Sequence, residues 1–214
     1  MSASILIRIR ITFSKTDSMR YIGHLDLFRS WERTFRRSGL PLAYSQGFHP
    51  QPRLNLACAL PLGFTSECEL LDAWLECVKP LHQIQQTIEA VLPPGLIVHG
   101  MDLIDLQAPA LQTQVASTVY LITFLENIPD LNERLKRIKS AEHLFRQRHN
   151  KSYDLRPLIE DMTFFPCDED GNHCLRIQLS ARESATGRPE ELLDEMGIEF
   201  ETTRIHREKL IFRS

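Results

Sequence analysis

The sequence predicts an α+β protein made of two ferredoxin-like halves in tandem, each in the order β-α-β-β-α-β. Three observations lead there. Several short runs alternate apolar and polar residues at period two, as half-buried strands do. Other runs place apolar residues three and four apart, as amphipathic helices do. The order of these signals before residue 107 then recurs after residue 115. With 214 residues and 43% hydrophobic content the chain can bury a real core, as one large domain or two small ones.

The first half, 1–107, opens with Ile5, Ile7, Ile9, Ile11 and Phe13 alternating with Leu6, Arg8, Arg10, Thr12 and Ser14, a strand with one apolar and one mostly polar face. A helix follows over 25–38, with Phe28, Trp31 and Phe35 on one side. Gly39 stops it and Pro41 follows, as at a helix C-terminus. Residues 40–44 read as a short strand and 45–53 as a loop. Strands are expected over 54–60 and 69–75. Leu81, Ile84, Ile88 and Val91 mark a second helix, Pro93-Pro94-Gly95 ends it, and 96–106 returns as a strand.

Residues 108–114, with Pro109, read as a linker to the second half, 115–214. There 115–125 is a strand, and Leu131, Leu135, Ile138 and Phe145 mark a helix. Strands follow over 152–159 and 174–180. Residues 189–196 form a short helix with Pro189 in its first turn and Glu190 and Glu191 behind it. Residues 198–212 close the half as one or two strands.

No apolar run approaches the roughly 20 residues of a membrane helix. The N-terminus lacks the charged and apolar regions of a signal peptide, so a cytoplasmic protein is expected. Cys58, Cys68, Cys77, Cys167 and Cys174 form no C-x-x-C pair, and an odd count in such a chain predicts reduced thiols. The net charge of −3 hides an asymmetry: residues 1–60 carry about nine Lys/Arg and about three Asp/Glu, whereas 61–130 carry about one and about nine. A basic face and an acidic face on one molecule follow from that split. A pI near 6.2 argues against a general nucleic-acid coat protein.

The stretch from Arg8 to Arg53 reads as the working part, built to hold an anionic partner. At roughly 100° per residue, Arg29, Arg33, Arg36 and Arg37 share one face of the first helix, opposite its aromatics. Arginine suits bidentate contacts to phosphate or carboxylate. Charged helix faces are also common as plain solvated surface, with Asp26 and Glu32 here as partial neutralisers. Arg8 and Arg10 lie on the polar face of the first strand. The turn before the helix adds Lys15 and Arg20 near a helix N-terminus, a position that favours anions. After the helix, Gly47 permits an unusual turn, and Pro50 and Pro52 stiffen the loop. Tyr44 and Phe48 offer stacking faces; Gln46, His49 and Arg53 offer hydrogen bonds. Such a set suits single-stranded RNA, and it also suits a peptide.

Phe13-Ser14-Lys15-Thr16, His24-Leu25-Asp26-Leu27, Glu32-Arg33, the run from Arg36 to Pro52 and Leu60-Pro61-Leu62-Gly63 carry a resemblance. So do Lys151-Ser152-Tyr153-Asp154-Leu155-Arg156-Pro157 and Gly187-Arg188-Pro189-Glu190-Glu191-Leu192-Leu193. Over nearly its whole length the chain resembles the radical SAM-linked protein family, a bacterial domain of unknown function. Where that family often has Asn-Pro-His-Pro, this chain has His49-Pro50-Gln51-Pro52. The resemblance implies association with a radical SAM protein carrying a cobalamin-binding-type domain, beside it or fused to it. It implies no reaction and no catalytic residues. The chain has no C-x3-C-x2-C cluster motif, so iron–sulfur chemistry would belong to the partner, and no cofactor is expected in this chain.

Other chemistries have thin support. His24 and Asp26 are tempting as an acid–base pair, but residues two apart on a helix point away from each other. No H-x-x-x-H, G-x-S-x-G, Walker or dinucleotide motif appears, and no metal site is expected. His24 and His49 with Cys58 would make one only through a geometry that spacing does not predict. The loop 184–189, with Arg188, leads into a helix and offers a second phosphate position. Three functions compete. The first is a non-catalytic accessory module that binds RNA, tRNA or rRNA, for a radical SAM partner. The second is a protein-interaction subunit of that partner without RNA contact. The third is an RNA-modifying or cleaving enzyme using His24, Asp26, His49 or Arg53.

Overall fold

The computed structural model describes residues 5–77, 79–148, 151–166, 173–182 and 185–213. The chain divides into two compact units, Met1–Gln114 and Val115–Ser214. Both are α+β, with mostly antiparallel strands and few helices.

Unit 1 comprises β1 (Leu6–Lys15), α1 (His24–Ser38), β2 (Leu54–Leu56), β3 (Phe64–Glu76), α2 (Leu81–Glu89), β4 (Leu96–Ile104) and the single turn α3 (Leu111–Gln114). Strand β1 lies between β3 and β4. Strand β2 takes the other side of β3, because Leu71 faces Ile11 across one edge and Leu56 across the other. The expected alternation in β1 buries Ile9, Ile11 and Phe13 completely. Against them α1 buries Leu27, Trp31, Thr34 and Phe35. Phe13 meets Trp31 edge-on at 4.9 Å, a contact worth about 1 kcal/mol beyond the area it buries. Gly39 ends α1 at φ 66, a left-handed conformation that costs glycine little. The strand expected over 40–44 shrinks to two isolated bridges, Leu42 with Leu75 and Tyr44 with Pro52.

The charge asymmetry along the chain is partly cancelled inside unit 1. Antiparallel pairing sets Arg10 opposite Asp72. Arg8 donates from Nε and Nη2 to Asp72 Oδ2 at 3.0 and 2.6 Å, and Arg10 donates from Nε to Oδ1 at 2.7 Å. Arg8 also donates to the carbonyls of Ala108 and Pro109 at 2.6 and 2.8 Å. Residues 108–114 are therefore no free linker: these bonds hold their start, and Leu111 is fully buried.

Unit 2 comprises β5 (Val115–Phe124), α4 (Leu131–Ser140), β6 (Phe145–Arg148), β7 (Lys151–Asp154), β8 (Ile159–Pro166), β9 (His173–Arg182), β10 (Ala185–Thr186), α5 (Pro189–Glu195) and β11 (Thr203–Phe212). Strand β5 lies between β9 and β11. Strand β8 pairs with the other edge of β9, since Leu179 faces both Thr118 and Ile159.

Several boundaries differ from expectation. Phe145 leaves the helix because Ala141 turns extended and the Asp154 carboxylate accepts the Leu144 N–H at 2.8 Å; Phe145 instead starts β6. The single strand expected over 152–159 is broken by a 3-10 turn at Arg156–Leu158, where Pro157 has no N–H to donate. A hairpin, β6–β7, thus stands between α4 and β8. Cys58, Cys68 and Cys77 are reduced, outside any disulfide. Cys174 is disulfide-bonded, against the expectation of reduced thiols throughout. Cys167 lies outside the described residues. Among the described residues, no helix is long and apolar enough to cross a membrane.

Candidate nucleic-acid interface

Helix α1 is fixed through its aromatic face, so the opposite face is outward. All four arginines expected there are exposed. Arg29 pairs with Asp26 at 3.2 Å and Arg36 with Glu32 at 2.7 Å, on the helix surface. Arg37 donates to the Val91 carbonyl at 2.8 Å, beyond the end of α2. Exposed pairs of this kind contribute about 0–1 kcal/mol, so an incoming phosphate can replace them.

Beyond Gly39 the chain pairs briefly with β3, where Ala43 N–H donates to the Trp74 carbonyl at 2.7 Å, and then leaves it as an arm, residues 44–52. The arm is closed by its own bonds. Ser45 N–H donates to the Gln51 carbonyl at 2.8 Å, and Gln51 N–H donates to Ser45 Oγ at 2.9 Å. At its root Arg53 N–H donates to the Ala43 carbonyl at 2.8 Å. Gly47 turns the tip at φ 132, a conformation open essentially to glycine. Gln46, Phe48 and His49 are all exposed there, and Phe48 is fully so, at 102%. Tyr44, at the base, is a little under half exposed. A phenyl ring that buries nothing in its own fold leaves both its faces open to stack on a partner.

Five of the expected anion contacts are internal instead. Arg8 and Arg10 neutralise Asp72. Lys15 is fully buried and donates to the Ile22 carbonyl at 2.7 Å. Arg20 is buried and donates to the Gly63 carbonyl at 2.9 Å. Arg53 is half-buried, its guanidinium 4.8 Å from the Trp74 ring. Each had a charge that sequence could see and a partner that it could not. His24 and Asp26 stand two apart in the first turn of α1 and project from different faces, and Asp26 is taken by Arg29, so they form no acid–base pair.

In unit 2, Arg188 is exposed at the N-cap of α5. Residues 183–184 of the loop before it lie outside the described residues. Burial pushes the nearby Glu190 carboxyl up from its ordinary pKa. A hollow here is lined by Glu190, Asp194, Glu199 and Glu201, the wrong sign for phosphate. Among the described residues no three His, Cys, Asp or Glu side chains group to hold a metal ion.

One feature escaped the sequence reading. Arg20 and Gly63 exchange bonds, Gly63 N–H to the Arg20 carbonyl and Arg20 Nε to the Gly63 carbonyl, both at 2.9 Å. That exchange joins the chain next to Leu62 to the chain next to Tyr21, and the side chains of Tyr21, Leu25 and Leu62 are all exposed. Leu60-Pro61-Leu62-Gly63 was visible as a motif; its spatial neighbour was not.

Among solved structures, the chain is similar to one in the crystal structure of a Cbf5-Nop10-Gar1 complex, at 9% identity and TM-score 0.47, covering 93% of this chain and 48% of that one. It is also similar to a crystal structure of an unknown protein from Galdieria sulphuraria, at 10% identity and TM-score 0.29, covering 98% and 100%. A third is the acetolactate synthase small subunit from Thermotoga maritima, at 9% identity and TM-score 0.27, covering 98% of each chain. The chain spans about half the length of the first of these. At such scores these likenesses carry no functional argument. No curated protein matches the chain. Residues 8–189 match a family model described as an uncharacterized protein conserved in bacteria, and the chain belongs to that family, DUF2344.

Proposed function

We propose that unit 1 is an RNA-contacting accessory module, with the 44–52 arm and the arginine face of α1 as its contact surface. The observation that carries this reading is Phe48, fully exposed at the tip of an arm braced by its own hydrogen bonds. Stacking of one base on such a ring contributes about 1–3 kcal/mol, and the braced arm lowers the ordering cost of binding. Tyr44, Gln46 and His49 supply a second ring and base-edge hydrogen bonds, and Arg29, Arg33, Arg36 and Arg37 supply phosphate contacts. The RNA would be an unpaired segment of tRNA or rRNA, presented to a radical SAM partner of the kind the family resemblance implies. The strand orders, β4-β1-β3-β2 in unit 1 and β11-β5-β9-β8 in unit 2, support reading each unit as ferredoxin-like.

A second reading has its own support. The exposed Tyr21, Leu25 and Leu62 suit an apolar protein surface better than RNA, and favour an interaction subunit of the same partner.

Filter binding of the full chain to total tRNA and to rRNA fragments at low salt tests the first reading. Binding that weakens steeply with salt is expected. No detectable binding removes it. Nuclease-insensitive co-purification with a radical SAM protein, without RNA binding, favours the second.

A further inference from the structure

The polar face of the β1–β4 pair carries a juxtaposition that neither reading uses. Ser14 Oγ lies 2.5 Å from His99 Nε2, though the two are 85 positions apart in sequence. The β1–β4 register steps from Thr12 opposite Gly100 to Phe13 opposite Val98, so His99 is the extra residue of a β-bulge. The β1–β3 register also slips, between Phe13 and Lys15. Ser14 is thus flanked by irregular pairing on both sides. Bulges re-aim side chains, and they concentrate beside reactive sites. Here the bulge turns an exposed imidazole onto a hydroxyl that is only 7% exposed. Next to the pair, Gly100 faces Thr12 and has open space where a side chain would stand: a Cβ built there meets nothing within 4 Å.

We infer that Ser14 and His99 form a nucleophile–base pair that accepts a small acyl group from an activated ester. With the ring proton on Nδ1, Nε2 accepts the Ser14 hydroxyl hydrogen, as a general base must. The Ser14 Oγ–carbon bond forms at the ester carbonyl while the hydroxyl proton moves to His99 Nε2. The carbon–oxygen bond to the alcohol breaks, and the same proton passes to the leaving oxygen. A water molecule, deprotonated by Nε2, then releases the carboxylic acid and restores Ser14. The bare backbone at Gly100 gives the acyl group its place. This activity goes beyond the RNA reading and does not depend on it.

The test treats the full chain with a fluorophosphonate probe and, separately, with p-nitrophenyl acetate. The expected results are a modification mapped to Ser14 by mass spectrometry and catalytic release of p-nitrophenol. Ser14→Ala should abolish both. His99→Gln, which keeps a hydrogen-bonding side chain but no base, should slow labelling by roughly 10²–10⁴-fold. Gly100→Val should slow it by filling the approach while leaving the pair in place. Circular dichroism establishes that each variant is folded, and either His99→Gln or Gly100→Val decides the matter if Ser14→Ala is not. An unmodified Ser14 in the folded wild-type chain, or labelling of folded His99→Gln at the wild-type rate, overturns the proposal.

Discussion

Each unit interrupts its chain with a small hairpin after its first helix, and the two hairpins turn their polar groups in opposite directions. In unit 2 the β6–β7 hairpin is latched to α5. Arg146 pairs with Asp194 and Glu195, and Arg148 reaches Glu191, the Thr186 carbonyl and the Tyr153 hydroxyl. Burial works against the Arg148 charge; Glu191 and Tyr153 together outweigh it and hold the guanidinium above its ordinary pKa. In unit 1 the 44–52 arm is braced at its stem by the Ser45–Gln51 bonds, and its tip residues are exposed. The same device is structural where its arginines find carboxylates, and available to a partner where its aromatic side chain finds nothing.

Three changes probe this contrast. The largest effect is expected from Arg33→Glu with Arg37→Glu in α1. RNA affinity at low salt should fall roughly 10- to 100-fold, and the slope of log affinity against log salt should shrink by about 1–2. An unchanged slope would mean that this face is ordinary solvated surface. Next comes Glu191→Ala, which strands a mostly covered Arg148. Urea denaturation should show a loss of about 1–3 kcal/mol, with RNA affinity unmoved. Loss of RNA affinity with stability intact would erase the distinction between the hairpins.

The smallest effect concerns Asp154, at the base of the β6–β7 hairpin. It accepts from His143 and from the backbone N–H groups of Leu144 and Arg156, and these hold its carboxyl below its ordinary 3.8 when folded. A depressed carboxylate contributes stability that is complete above about 3.8 and fades as pH falls below it. Asp154→Asn should lower stability near neutrality and flatten the acid limb, so that variant and wild type converge as pH falls below that value. An acid limb as steep as the wild type's would assign it to other groups.

Periodicity made the elements of unit 1 legible, because β1 and α1 each bury one regular face. The outward arginines of α1 followed from the inward aromatics by the same geometry. What sequence hid was partnership across long separations. Asp72 claims Arg8 and Arg10 from 62 and more residues away, so cations that looked available are spent in the interior. Sequence also hid Lys15 and Arg20, which end on backbone carbonyls that leave no sequence signature. The hairpin of unit 2 was missed because its strands are four residues each, too short for alternation to show. The Ser14–His99 contact depends on a bulge, and a one-residue slip is invisible without the pairing that it disturbs.

The central claim is that the 44–52 arm holds RNA through Phe48. Fluorescence anisotropy of a labelled single-stranded RNA, titrated with wild-type chain and with Phe48→Ala, tests it most directly. The side chain buries nothing in its own fold, so the variant should unfold at the wild-type urea midpoint while binding RNA about 5- to 150-fold more weakly, the equivalent of one lost stacking contact. Equal affinity of wild type and Phe48→Ala would contradict it.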